Sequence, residues 1–127
     1  MLYKGTVIEE SLGDKSILKD LVILSTHIEV VTDEHRTPWL KQWTLHKIQV
    51  PAEQAGEMAE RIQQAIDVTQ PGSWYVDFKN EVDHFIIYKD KIFKVRRNDA
   101  DGYAAAKSHG IGLGIPEHQV DFSPDTK

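Results

Sequence analysis

Apolar and polar residues alternate with a period of two along most of this chain and give way to helical spacing in one clear central stretch. Leu2–Glu9, rich in β-branched and aromatic residues, predicts a first strand. Ser11-Leu12-Gly13-Asp14 reads as a turn, and Ser16–Asp20 as one helical turn. A second strand is expected over Leu21–Val31. Val22, Leu24, Ile28 and Val30 fall on one side and Ser25, His27 and Glu29 on the other, so one face should be wet. Thr32–Pro38 is charged and ends in Thr-Pro, which predicts a mobile loop. Trp39–Val50 is a third strand with imperfect alternation: Trp43 and Leu45 point one way, Ile48 and Val50 the other. A bulge near His46-Lys47 would reconcile them.

The period then changes. Pro51 can open a helix without losing a needed N–H, and Ala55, Met58, Ala59, Ile62, Ala65 and Ile66 follow i, i+3, i+4, i+7 spacing. Glu53, Glu57, Glu60 and Gln64 take the outer side. Beyond Pro71-Gly72, three short strands are predicted at Ser73–Lys79, His84–Tyr88 and Ile92–Arg96. A second helix is expected from Asn98 as N-cap to Gly110 as the C′ residue. Val120 and Phe122 give the tail something to pack with, and Ser123–Lys127 is expected to fray. The expectation is a single α+β domain over residues 1–127: an antiparallel sheet of about six strands with two helices, in the order βββα-βββα. That order allows a topological duplication, although the halves share no residue-level similarity.

Loop lengths set the pairing of the later hairpins. Four residues, Asn80–Asp83, place Phe78 opposite Phe85, Val76 opposite Ile87 and Lys79 opposite His84. A three-residue turn, Lys89-Asp90-Lys91, would set Ile87 opposite Phe93, Phe85 opposite Val95 and His84 opposite Arg96. It is preferred to a two-residue turn, which puts Lys94 beside Phe85 on an otherwise apolar face. The opposite face then carries Tyr75, Tyr88 and Ile92, then Asp77, Ile86 and Lys94, then Lys79, His84 and Arg96. Tyr75, Asp77, Lys79, His84, Lys94 and Arg96 are therefore the candidate ligand-binding set. The cations would attract a carboxylate or phosphate, and Asp77 and Tyr75 would handle protons. An outer sheet face is also commonly just solvated.

Composition narrows the function classes more than it selects one. The chain has 127 residues, 40% hydrophobic and 28% charged, as in ordinary globular proteins. With no cysteine it has no disulfide, thiolate nucleophile or Cys-ligated zinc. The start, Met1–Thr6, lacks a basic stretch followed by an apolar one, so no signal peptide is expected, and apolar runs such as Leu21–Leu24 are too short to span a bilayer. A cytoplasmic setting without membrane contact follows as the default. The net charge of −5 argues against a nucleic-acid partner despite the basic cluster Lys89, Lys91, Lys94, Arg96 and Arg97.

Other candidate chemistry is weaker. The six histidines form no HxH, HxxxH or HExxH pattern, so no metal is expected, and no cofactor is implied. Gly110-Ile111-Gly112-Leu113-Gly114 imitates a phosphate loop but follows a helix instead of opening one. It reads better as a helix end with Ile111, Leu113 and Ile115 packing inward. No GxSxG elbow supports a serine triad. Trp39 and Trp43 read as core or interface aromatics, and an interface use would suit a homodimer.

Trp74-Tyr75-Val76-Asp77-Phe78-Lys79-Asn80, His84–Tyr88 and Lys91–Val95, with Leu113-Gly114-Ile115-Pro116 and Asp121-Phe122-Ser123-Pro124, form a pattern that resembles a family of small uncharacterised prokaryotic proteins. Tyr3-Lys4-Gly5 and Trp39–His46 extend it over most of the chain. The resemblance implies a prokaryotic, cytoplasmic setting and assigns no residue a role. Two functions remain in view. The first is a binding or interaction protein acting as a homodimer, with one sheet face or the Trp39–Trp43 region as contact surface. The second is a small enzyme or ligand-binding domain that takes an anionic metabolite on the polar face of the 73–96 hairpins.

Overall fold

The alternating stretches pair as one antiparallel sheet in the computed structural model of the protein, which describes residues 2–35, 37–70, 73–120 and 122. Among these residues six strands form: β1 (Leu2–Ile8), β2 (Val22–Val30), β3 (Gln42–Pro51), β4 (Tyr75–Lys79), β5 (Asp83–Tyr88) and β6 (Ile92–Arg96). Their order across the sheet is β2-β3-β1-β4-β5-β6. Helix α1 (Ala55–Ala65) separates β3 from β4, and α2 (Ala100–Gly112) follows β6. This is the α+β order βββα-βββα. The first half skips from β1 to the sheet edge and returns, whereas the second is a simple meander, so the halves are not topological copies. Pro71-Gly72 and the tail 123–127 lie outside the described residues. No helix among the described residues is long and apolar enough to cross a membrane.

Strand alternation gives the sheet two faces. On the first, Tyr3 and Val7 of β1, Ile48 and Val50 of β3, Val76 and Phe78 of β4 and Phe85 and Ile87 of β5 form the larger core. Helix α1 closes it with Ala55, Met58, Ala59 and Ile62, the stripe its spacing predicts. Gly5 lies where β1 meets β4, and a Cβ there would stand 1.9 Å from the Asp77 carbonyl oxygen, so the close approach of the strands needs glycine. On the second face, Ile86 and Tyr88 of β5 and Val95 of β6 pack under Tyr103 and Ala106 of α2, with Ile115, Val120 and Phe122 from the following segment. Both faces of β5 are therefore buried.

That double burial corrects one expected register. The β4–β5 pairing is as loop length predicts, with Phe78 opposite Phe85 and Lys79 opposite His84. Between β5 and β6 the two-residue turn Lys89-Asp90 forms instead, closed by backbone bonds between Tyr88 and Lys91, and Ile87 pairs with Ile92, Phe85 with Lys94 and His84 with Val95. The longer turn would be favoured only if one face of β6 alone needed apolar residues. Here α2 takes Val95 on the second face. Lys94, on the exposed edge strand of the first face, lays its ammonium over the Phe85 ring at 5.6 Å.

Other boundaries move less. β3 pairs with β1 without interruption, and the bulge lies on its partner β2, between Ile23 and Ser25. Asp99, not Asn98, caps α2, its side chain accepting from the Gly102 N–H. Gly110 is interior to α2. The C′ position belongs to Gly114, at φ 92°, with Gly114 N–H donating to the Ile111 carbonyl and Ile115 N–H to that of Gly110. Ile115 packs inward as expected, but Ile111 is exposed.

Candidate functional site

Helix α2 covers only the β5–β6 end of the second face. Beyond it, Lys4, Thr6 and Ile8 of β1, Leu45 and Lys47 of β3 and Tyr75, Asp77 and Lys79 of β4 share the face, brought together by the β3-β1-β4 order. The segment after α2 turns along this surface as a 3₁₀ turn at Glu117–Gln119 and supplies a wall. Tyr75 fixes it by donating its hydroxyl to the Gln119 carbonyl. The Gln119 amide donates to the His35 carbonyl at 3.1 Å, and Phe122 packs edge-on against both Tyr75 and His84.

Floor and wall enclose a groove in two joined parts. One is a cavity of about 460 Å³ that includes Lys4, Thr6, Leu24, Lys47, Asp77 and Lys79 among its lining. The other, of about 360 Å³, adds Ile8, Trp43, Leu45, Trp74 and Ile115. Thr6, Tyr75, Asp77, His118 and Gln119 line both, so one end is cationic and the other aromatic and aliphatic.

At the junction stands Asp77, directly across from Thr6 in the β1–β4 pairing. Its Oδ2 accepts from His84 Nε2 at 2.7 Å. His84 is 1% exposed, and its Nδ1 lies 3.1 Å from the Tyr103 hydroxyl. In the neutral ring, a donating Nε2 leaves Nδ1 to accept from the Tyr103 hydroxyl. The relay Asp77–His84–Tyr103 thus runs from the groove to the interior under α2. Burial raises the Tyr103 phenol above its ordinary pKa, and burial, followed by the charge of Asp77, raises that of Tyr75 much further. Both stay protonated donors at neutral pH. Lys79 is held below the ordinary lysine value, first by partial burial and then by Arg97, with Asp77 opposing.

Of the six residues expected to bind ligand, Tyr75, Asp77 and Lys79 line the groove, and His84 backs it from the interior. Lys94 and Arg96 do not join them. The corrected register turns both to the first face, and the basic cluster 89–97 is divided accordingly. Sequence reasoning did not find Lys4, Thr6, Lys47 or the Glu117–Gln119 wall, because these come from β1, β3 and the tail and only strand order makes them neighbours of β4. The alternation of Lys4, Thr6 and Ile8 against Tyr3, Gly5 and Val7 was the available signal. Tyr103 was signalled too, by the i, i+3, i+7 stripe Tyr103, Ala106, Gly110 that α2 buries.

A second histidine pair occupies the first face at the opposite end of the sheet. His46 Nε2 lies 2.9 Å from Glu9 Oε1, and Nδ1 lies 2.8 Å from the Thr26 hydroxyl. Glu10 accepts from the backbone N–H and the hydroxyl of Thr44 at 2.6 and 2.8 Å. These bonds satisfy the half-buried groups between the 3₁₀ turn Glu9–Ser11 and β3 and line none of the groove. Among the described residues no group of three His, Asp or Glu side chains is placed to hold a metal ion.

The two tryptophans part company. Trp43 is 9% exposed, lies tilted against Trp74 with ring centres 5.4 Å apart, meets the His35 ring in a T-shaped contact with centres 4.4 Å apart and donates to Thr37 at 2.9 Å. Trp39 is 38% exposed, and its indole N–H donates to Gln70, which also accepts from Trp74. A further bare surface lies at the sheet edge. Every residue of edge strand β2 is exposed or half-exposed, including Val22, Ile23, Leu24, Ile28 and Val30. No protein-family model, no curated protein and no solved structure matches the chain.

Proposed function

We propose that the protein is a binding protein whose working unit is a homodimer joined through β2, the strands of two copies pairing antiparallel about a two-fold axis. The observation that carries this reading is the exposed β2 edge, whose carboxylate, Glu29, is engaged within the chain by His35. Val22–Val30 is nine residues long, pairs only with β3 among the described residues, and contains neither lysine nor proline. Edge strands of that length are ordinarily blunted by charge, proline or a covering segment, because their free N–H and C=O groups recruit another strand. The bulge at Ile23/Ser25 disturbs only the beginning of β2 and leaves Ser25–Val30 regular.

A second copy suits this edge because an isologous contact buries the same apolar side chains from both sides and satisfies both backbones. Ile28, 55% exposed, and Val30, 77% exposed, are the residues with most to bury. Trp39 also has surface to contribute, whereas Trp43 acts as a core residue in this reading. Both open groove faces would lie on one side of a continuous sheet.

Light scattering coupled to gel filtration, run up to the solubility limit, tests the reading. The wild type is expected at twice the mass of one chain, and Ile28→Lys at one. A wild type that stays monomeric throughout, or an Ile28→Lys variant that still dimerises, sinks the β2 dimer.

A further inference from the structure

We propose that the groove on the second face is a binding site for an amphipathic organic anion: a carboxylate or phosphate carried on an aromatic or branched apolar body. The inference stands independently of the dimer. It rests on the polarity gradient along a single concavity. At one end Lys4 and Lys47 line the cavity, and neither makes an ion pair or side-chain hydrogen bond among the described residues. Lys79 lies at the same end, where partial burial and Arg97 both disfavour its charge, so a bound anion would relieve it. At the other end Ile8, Trp43, Leu45, Trp74 and Ile115 offer aliphatic and aromatic surface.

Between the ends, Asp77 is pre-oriented by His84, whose Nε2 bonds to Oδ2 at 2.7 Å. A carboxylate has two acceptor oxygens, so it can still accept from a hydroxyl or amine of the ligand body. The wall is fixed in advance by the Tyr75–Gln119, Gln119–His35 and Phe122 contacts, which lowers the ordering cost of binding. Together the two cavities match the size and mixed lining usual for small-molecule sites. An anion without an apolar body leaves the Trp43–Trp74 end wet, and an apolar body without charge leaves the lysines unanswered.

The test is a titration with 1-naphthyl phosphate followed by tryptophan fluorescence, since Trp43 and Trp74 line the apolar end. Inorganic phosphate and 1-naphthol serve as the two half-ligands. Saturable binding of naphthyl phosphate is expected, with each half-ligand at least about tenfold weaker, the equivalent of one good contact. Lys4→Ala/Lys47→Ala should weaken naphthyl phosphate by about tenfold or more while leaving the circular dichroism spectrum and naphthol binding unchanged. Leu45→Lys, placed in the apolar end, provides a second variant and should weaken naphthyl phosphate and naphthol together. No saturable binding by the wild type, equal affinity in the double lysine variant, or naphthol binding as tightly as naphthyl phosphate would each overturn the proposal.

Discussion

Strands β5 and β2 are both rich in large apolar residues, yet they meet opposite fates. In β5, His84 to Tyr88 are all buried, between α1 and the first-face core on one side and α2 on the other. In β2, Val22, Ile23, Leu24 and Ile28 keep between 38% and 55% of their surface in solvent. What differs is position. β5 is interior to the sheet and covered twice, whereas β2 is an edge strand whose main neighbour is β3. Hydrophobicity along a strand therefore reports what could be buried, and the order of the strands decides what is. One flank concentrates stability; the other leaves apolar surface and a groove for contacts.

Truncating both strands alike should expose that division most strongly. Ile87→Ala removes a fully buried side chain between β4 and α1 and is expected to cost about 2–5 kcal/mol in urea unfolding. Ile28→Ala, measured dilute enough to keep chains apart, should stay within about 0.5 kcal/mol of wild type. Equal losses at the two sites would mean that β2 is covered within the single chain, and the contrast would collapse.

The next effect is smaller and probes how tightly α2 closes over β5. A Cβ at Gly110 would lie 2.6 Å from the Tyr88 hydroxyl oxygen and 2.8 Å from Val120 Cγ1. Gly110→Ala should therefore destabilise by about 1–3 kcal/mol through overpacking. Gly112, one half-turn on in the same helix, has nothing among the described residues within 4 Å of the added carbon. Gly112→Ala should instead be neutral or stabilise by up to about 1 kcal/mol, as expected for glycine in a helix. If both variants behave alike, α2 is not seated on Tyr88 as described.

Much of this architecture was legible from residues alone. The α1 stripe, the β4–β5 register and the six strands follow from periodicity and loop length, which are local properties. The β5–β6 register is not local in this sense: Phe93 and Val95 look like partners for the first face until α2 is known to cover the second. The groove was half legible. Tyr75 and Asp77 announce a polar row on one hairpin, but Lys4, Thr6 and Lys47 are long-range neighbours whose adjacency no hairpin arithmetic supplies. His84 shows the same limit. It reads as an open surface histidine beside Arg96, and it is instead enclosed by Phe122 and Tyr103, residues 38 and 19 positions away.

The smallest effect at neutral pH becomes visible only in alkali. Tyr75 and Tyr88 face each other across the second-face side of β4 and β5, with ring centres 6.1 Å apart. Burial raises both phenols well above their ordinary value, with Asp77 adding to each. In the unfolded chain they ionise near the ordinary value of about 10. A pKa raised by folding stabilises fully below that value, and the contribution is lost as pH climbs past it, because the unfolded state sheds its protons first. Wild-type stability should accordingly fall above about pH 10, with the rise in tyrosinate absorbance coinciding with loss of the circular dichroism signal. Tyr88→Phe separates this cause from general alkaline damage. It removes the bond from the hydroxyl to the Ala106 carbonyl, costing about 1 kcal/mol at neutral pH, and it also removes one ionisable group from the unfolded chain. The gap between variant and wild type should therefore narrow as pH rises past 10. Parallel stability curves would show that Tyr88 titrates alike folded and unfolded, and that the β5 flank is more open to solvent than its packing implies.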